Sequence, residues 1–164
     1  MRINKFFLKY ITIVIICIVL YFAIYPLYIR WITGNYAKRF SKVLNSHDMK
    51  RYDGFFSKDT IFEINGKQTK YADAKENMEK MQAFTSTGSY GHLRENYNHK
   101  DLIISRSYTV SFYLPIYDCP DRGNMFIGGY MILKRKWLFF FDIEKIIFDE
   151  KGEGERFLKD FLGI

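Results

Sequence analysis

Cysteine and histidine are scarce in this chain, which has two of the first and three of the second in 164 residues. There is no C-x-x-C pair and no Cys/His group at metal-ligand spacing, which argues against a structural zinc. Cys17 sits inside an apolar run and Cys119 between Pro115 and Pro120, so no intramolecular disulfide is expected. No residue constellation points to a cofactor, and there is no repeat or low-complexity tract. Acidic side chains are absent from residues 1–32, where Arg2, Lys5, Lys9 and Arg30 supply four positive charges of the net +7. The rest of the chain is nearly balanced, with 21 basic and 18 acidic residues. Nucleic-acid binding calls for a concentrated basic stripe, and only Lys134-Arg135-Lys136 is contiguous. That triplet reads as a hairpin turn exposing its charges, and no nucleic-acid partner is expected.

What the chain has in quantity is apolar side chains. Its composition is 48% hydrophobic and 19% aromatic, which excludes disorder and supports a well-filled core. Tyr10 to Ile29 form an uncharged run of twenty residues. As a helix rising 1.5 Å per residue, such a run spans roughly 30 Å, the thickness of a bilayer's hydrocarbon core. A cleaved signal would carry small residues after its apolar core, whereas this run ends in Tyr25-Pro26-Leu27-Tyr28-Ile29-Arg30-Trp31. Aromatic residues cluster at both ends, as interfacial belts do. The reading is a membrane partner: a short tail (residues 1–9), one retained transmembrane anchor (10–32, with Tyr10–Ile29 as its apolar core) and one domain (33–164). Basic residues flank both ends of the span. A short tail before a first span favours a single-pass protein of the cell membrane with its C-terminal domain outside the cytoplasm.

Within the domain, Phe40, Val43 and Leu44 fall at helical spacing, so the membrane helix is expected to run on into a first domain helix, with Pro26 and Gly34 as kink points. Asp48 reads as the N-cap of a short helix, Met49 to Phe56. Thr60 to Ile64 and Lys67 to Tyr71 read as a hairpin around Asn65-Gly66, and Asp73 as the cap of a third helix. Beyond Thr85 the period becomes alternating, which predicts long strands over Ser86–Tyr97, Asp101–Leu114, Met125–Leu133 and Trp137–Phe148, with Pro115–Gly123 as a loop. Glu155–Leu162 is expected to close the chain as a helix.

The stretches Phe40-Ser-Lys-Val-Leu-Asn-Ser-His-Asp48 and Phe55-Phe56-Ser-Lys-Asp59-Thr-Ile-Phe62, with this element order and the closing Gly128-Gly129-Tyr130 and Trp137–Asp142 segments, resemble the NTF2-like superfamily. The resemblance covers roughly residues 36–149. It implies an α+β cone of three N-terminal helices on a curved antiparallel sheet, here preceded by one transmembrane helix. The superfamily includes SnoaL-like and steroid-isomerase enzymes as well as accessory domains of membrane-bound secretion channels, so the fold does not settle the activity.

Steroid-isomerase chemistry needs a tyrosine oxyanion donor and a carboxylate base beside an apolar cavity. In the register the resemblance sets, those positions fall on Phe40 and Ile64, which carry neither group. His92 on a strand, with Asp142 from another, is the remaining acid/base pair worth weighing, although an exposed strand histidine is the commoner situation. Tyr36, Tyr52, Tyr108 and Trp137 are candidate cavity-lining residues with polar tips. Trp137 to Phe141 reads as a strand buried on both faces or covered by a partner. The leading expectation is a membrane-anchored interaction or accessory module that pairs through its sheet face with itself or with a membrane-complex partner. The alternative is a SnoaL-like isomerase or dehydratase type of enzyme, or a small-molecule-binding cone, using Tyr52, His92 and Trp137.

Overall fold

A computed structural model describes residues 5–81, 84–86, 90–94, 97–119, 122–137 and 139–164. Helix α1 is a single element from Lys5 to Leu44. Its first half is apolar all round, and residues 8–20 are exposed without exception. Its second half is amphipathic, burying Ile29, Thr33, Ala37, Phe40 and Leu44 at three- and four-residue spacing. The expected continuity of the apolar run into the first domain helix is therefore present, and the two are not separate helices. Pro26 lies inside α1, where its missing N–H forfeits one helical hydrogen bond. One long apolar N-terminal helix of this kind is compatible with a membrane anchor.

Short helix α2 (Met49–Phe55) starts as expected, with the Asp48 carboxylate accepting from the Lys50 N–H at 2.9 Å. Strands β1 (Ile61–Ile64) and β2 (Lys67–Lys70) form the hairpin read from Asn65-Gly66. Both turn residues have positive φ (50° and 83°), the pairing that makes Asn-Gly the favoured two-residue turn. Helix α3 (Tyr71–Lys80) begins three residues earlier than a cap at Asp73 implies; Lys70 precedes it without a side-chain cap, and Asp73 lies in its first turn.

The middle of the chain departs from the sequence reading. Instead of two long strands there are β3 (Thr85–Ser86), β4 (Tyr90–Leu93), helix α4 (His99–Ile104) and then β5 (Ser107–Cys119). Parts of the expected Ser86–Tyr97 strand lie outside the described residues. Asn98 caps α4 through the Asp101 N–H at 2.9 Å, which diverts Asp101–Ile104 from the sheet. Strand β5 then runs through Pro115, so the expected Pro115–Gly123 loop shrinks to the few residues between Cys119 and Gly123. Strand β6 (Gly123–Trp137) likewise passes through Lys134-Arg135-Lys136, and the turn to β7 (Phe140–Phe148) lies beyond Trp137. That triplet is therefore not a turn. Lys134 and Lys136 project outward to Glu144 (3.3 Å) and Asp142 (3.0 Å) on β7, while Arg135 turns inward.

The strands form one sheet in the order β2-β1-β7-β6-β5-β3, with β4 also on β5. It is mixed and not purely antiparallel, because β1 pairs parallel with β7. Helix α1 lies across it, meeting β4 where Ala37 faces Gly91; a Cβ on Gly91 would collide with the Ala37 methyl. Helix α5 (Glu153–Leu162) buries Phe157, Leu158, Phe161 and Leu162 and closes the chain.

Candidate functional site

A cone of this kind offers two places for function: its interior and its surface. The interior is occupied by the chain's own rings. Phe40 meets Phe112 edge-on at 5.3 Å, Phe56 meets Phe62 at 5.3 Å, and Phe84 meets Phe157 at 5.2 Å. Helix α5 contributes the last of these rings. The void left among these residues is about 10 Å³, room for about one water. Phe40 and Ile64, the positions that lack catalytic groups, are both core residues at 1% and 0% exposure.

The five candidate site residues do not converge. Tyr52 is buried and donates to the Leu44 carbonyl at 3.1 Å. Tyr36 donates to the Phe141 carbonyl at 2.7 Å, and Tyr108 to the Leu102 carbonyl at 2.6 Å. Burial raises the pKa of all three hydroxyls above the ordinary tyrosine value, with Arg135 partly offsetting it at Tyr108. They are satisfied core donors, not proton acceptors. His92 is exposed and lies opposite Ser111 on β5. Strands β5 and β6 stand between it and β7, a lateral gap of roughly 14 Å at about 4.8 Å per strand; the register also sets His92 level with Ile147 and not with Asp142, which is already paired with Lys136. No His–Asp dyad forms. Trp137 is 72% exposed. Among the described residues no three His, Cys, Asp or Glu side chains converge as a metal site.

The sequence reading missed a cluster where α1 leaves its apolar run. Arg135 donates to the carbonyls of Ile103 (2.8 Å) and Leu102 (3.2 Å) and to the Tyr108 hydroxyl. Its guanidinium lies 5.1 Å from the Tyr25 ring centre and 5.7 Å from that of Tyr108. Phe139 packs edge-on against Tyr25 (5.9 Å) and Tyr28 (5.2 Å). The expected strand buried on both faces over Trp137–Phe141 is thus a hairpin tip. Among the described residues of that stretch only Phe141 is buried, while Trp137, Phe139 and Phe140 stay 72%, 48% and 69% exposed. Around it, Leu27 and Trp31 of α1 and Ile104 of α4 are exposed as well. The aromatic belt at the end of the apolar run was the available signal; the inward turn of Arg135 had none.

Elsewhere the outward face of β5 and β6 carries Tyr113 and Phe126, stacked at 5.5 Å and about half exposed, and Tyr130 beneath the Arg94 guanidinium at 4.1 Å. A surface groove of about 260 Å³ follows α1 between Trp31 and Lys42, lined also by Lys38, Arg39 and the candidate residue Tyr36.

No family model matches the chain, and no curated protein matches it. Solved structures do. A protein of unknown function with a cystatin-like fold from Nostoc punctiforme aligns at TM-score 0.51 and 16% identity, over 73% of this chain and 90% of that one. An NTF2-like protein of unknown function from Exiguobacterium gives 0.43 and 15%, over 69% and 95%. A protein described as SnoaL-like from Mesorhizobium loti gives 0.41 and 10%, over 71% and 97%. The first of these supports the fold that the element order implied, a helix-on-sheet α+β domain. Identities this low carry nothing about activity.

Proposed function

We propose that this chain is a single-pass membrane protein whose cone domain is a docking module, pairing with a second copy through the outward face of β5 and β6. The observation that carries this reading is the distribution of its aromatic rings. The interior is filled by Phe40, Phe56, Phe62, Phe84, Phe157 and Phe161, with only about 10 Å³ left free among these described residues, while Tyr113, Phe126 and Tyr130 stand on the sheet's outer face. Exposed aromatic residues beside an arginine are what protein interfaces concentrate at their centres.

The apolar half of α1 supports the anchored part of the reading. The helix enters the domain without a linker, so copies held in one membrane would present their sheet faces at one height and in one orientation. That restriction raises the effective concentration of a second copy.

Light scattering on the full chain in detergent micelles tests the reading. A dimer that Phe126→Asp converts to monomer, with an unchanged far-ultraviolet circular dichroism spectrum, is the expected result. A strict monomer at all concentrations, in micelles and in nanodiscs alike, would sink it. A monomer that instead holds a different, stoichiometric protein through Phe126 would replace the second copy with that partner.

A further inference from the structure

The hairpin tip between β6 and β7 lies at the wrong height for a water-facing loop. Phe139 rests on Tyr25 and Tyr28, and the Tyr28 hydroxyl donates to its carbonyl at 2.8 Å. Both tyrosines belong to the apolar run that ends at Ile29. At 1.5 Å per residue, Tyr25 lies about 6 Å and Tyr28 about 1.5 Å short of that end along the helix axis. The tip is thus level with the last turn of the run. Its two flanking rings, Trp137 and Phe140, are the most exposed large apolar side chains among the described residues of the folded domain. Exposed Leu27 and Trp31 occupy the same stretch of α1.

We infer that the β6–β7 tip is a second membrane contact, seating Trp137 and Phe140 in the headgroup and upper acyl region of the leaflet that α1 crosses. The occupant is lipid, by continuity with the helix: a bilayer that covers the run as far as Ile29 takes in the tip beside it. The inference rests on the anchored reading above. The side chains suit the depth. Tryptophan and other aromatic rings favour the interface, and Lys136 and Asp142 at the root of the tip remain paired at 3.0 Å. Arg135, at a level where a free charge would be costly, is turned inward onto carbonyls and Tyr108. With two contacts, the domain is held at a fixed tilt and does not swivel on its helix. The outward sheet face then keeps one orientation to the membrane plane.

The chain has two tryptophans, Trp31 and Trp137, which permits a direct test. The full chain carrying Trp31→Phe is reconstituted into phosphatidylcholine–phosphatidylglycerol vesicles, with bromine placed near the headgroup end of the acyl chains in half of the preparations. The expected result is a blue-shifted Trp137 emission, quenched by the brominated lipid and protected from aqueous iodide. Emission quenched by iodide and unaffected by bromine overturns the inference, and so does a Trp137 shielded from both quenchers, which would mean a protein cover. A Trp137→Phe chain, in which Trp31 reports, is run beside it with flotation and carbonate extraction. If that chain fails to stay with the vesicles, the anchored reading has failed as well; if it stays and Trp137 is wet, only the tip contact is lost.

Discussion

Tyr28 and Phe139, 111 residues apart, are joined by a 2.8 Å hydrogen bond from the tyrosine hydroxyl to the phenylalanine carbonyl and by an edge-on ring contact at 5.2 Å. The contact ties the far end of the sheet to the helix at the edge of its apolar run. Phe139→Ala removes the ring that covers Tyr25 and Tyr28. Because the ring is half exposed, the expected cost is about 1–2 kcal/mol, below that of a fully buried phenylalanine. Tyr28→Phe should cost less than about 1 kcal/mol, as it removes one exposed bond. Amide exchange at the β6–β7 tip is the measurement, and it should quicken in both variants and most in Phe139→Ala.

Arg135 satisfies two backbone carbonyls and a buried hydroxyl at once. Arg135→Ala leaves the Ile103 carbonyl and the Tyr108 hydroxyl without their charged donor, while the Leu102 carbonyl keeps its bond from Tyr108, and a loss of about 1–3 kcal/mol is expected from thermal unfolding. Arg135→Lys should recover little. One ammonium cannot reproduce the planar fork that reaches both carbonyls, and the stacking over Tyr25 and Tyr108 goes with it.

Installing the missing isomerase pair is expected to fail. Ile64→Asp places a carboxyl where the side chain is 0% exposed, on β1 opposite Phe148 of β7. With no partner for the charge, the group either stays protonated with a raised pKa or unfolds the domain, at a cost of several kcal/mol. Phe40→Tyr with Ile64→Asp should therefore give a marginally stable protein with no proton-transfer activity on a β,γ-unsaturated ketone.

The sequence was most readable where local rules decide the structure. The Asn65-Gly66 hairpin, the Asp48 cap and the continuity of α1 each follow from residues adjacent in the chain. Alternation over β5 was read correctly for Tyr108, Val110 and Phe112, which are all buried. It failed at Asp101–Ile104, where a single capping asparagine, Asn98, competes with the strand pattern and wins. It failed again at Lys134-Arg135-Lys136, because three consecutive cations look like a turn unless one of them has an inward partner. That partner, Tyr108 with the α4 carbonyls, comes from a helix that the alternation had concealed. Tyr36, Tyr52 and Tyr108 have apolar bodies and polar tips. Their tips reach backbone carbonyls of their own core, a choice that depends on tertiary packing and not on sequence period.

Glu63 on β1 and Lys145 on β7 form the best-shielded ion pair, at 2.7 Å with side-chain exposures of 19% and 22%. Lys145, with Gln68, holds the Glu63 carboxyl below its ordinary value of 4.5. A depressed carboxylate stabilises the fold above the unfolded-state value, and that contribution is lost as pH falls through the folded-state value. The native chain should lose stability progressively as the pH drops below about 4.5. Glu63→Gln should start less stable at neutral pH and lose less on acidification, so the difference between the two shrinks towards zero in acid. Urea unfolding at a series of pH values measures both slopes.

The filled interior makes a final prediction about α5. Phe157 is 2% exposed and meets Phe84 edge-on at 5.2 Å, with Phe161 parallel to it at 5.8 Å. Phe157→Ala deletes a ring from a cone that has almost no free volume, so the loss should be about 3–5 kcal/mol, with the upper end applying if the neighbours hold their places. Rigid neighbours would leave an apolar cavity in the cone. Such cavities stay dry and accept small aromatic molecules. Benzene or indole should therefore raise the melting temperature of Phe157→Ala in a concentration-dependent way while leaving the native protein unchanged. A native chain stabilised to the same degree would mean that the cone opens without mutation, and the interior would then have to be considered as a binding site.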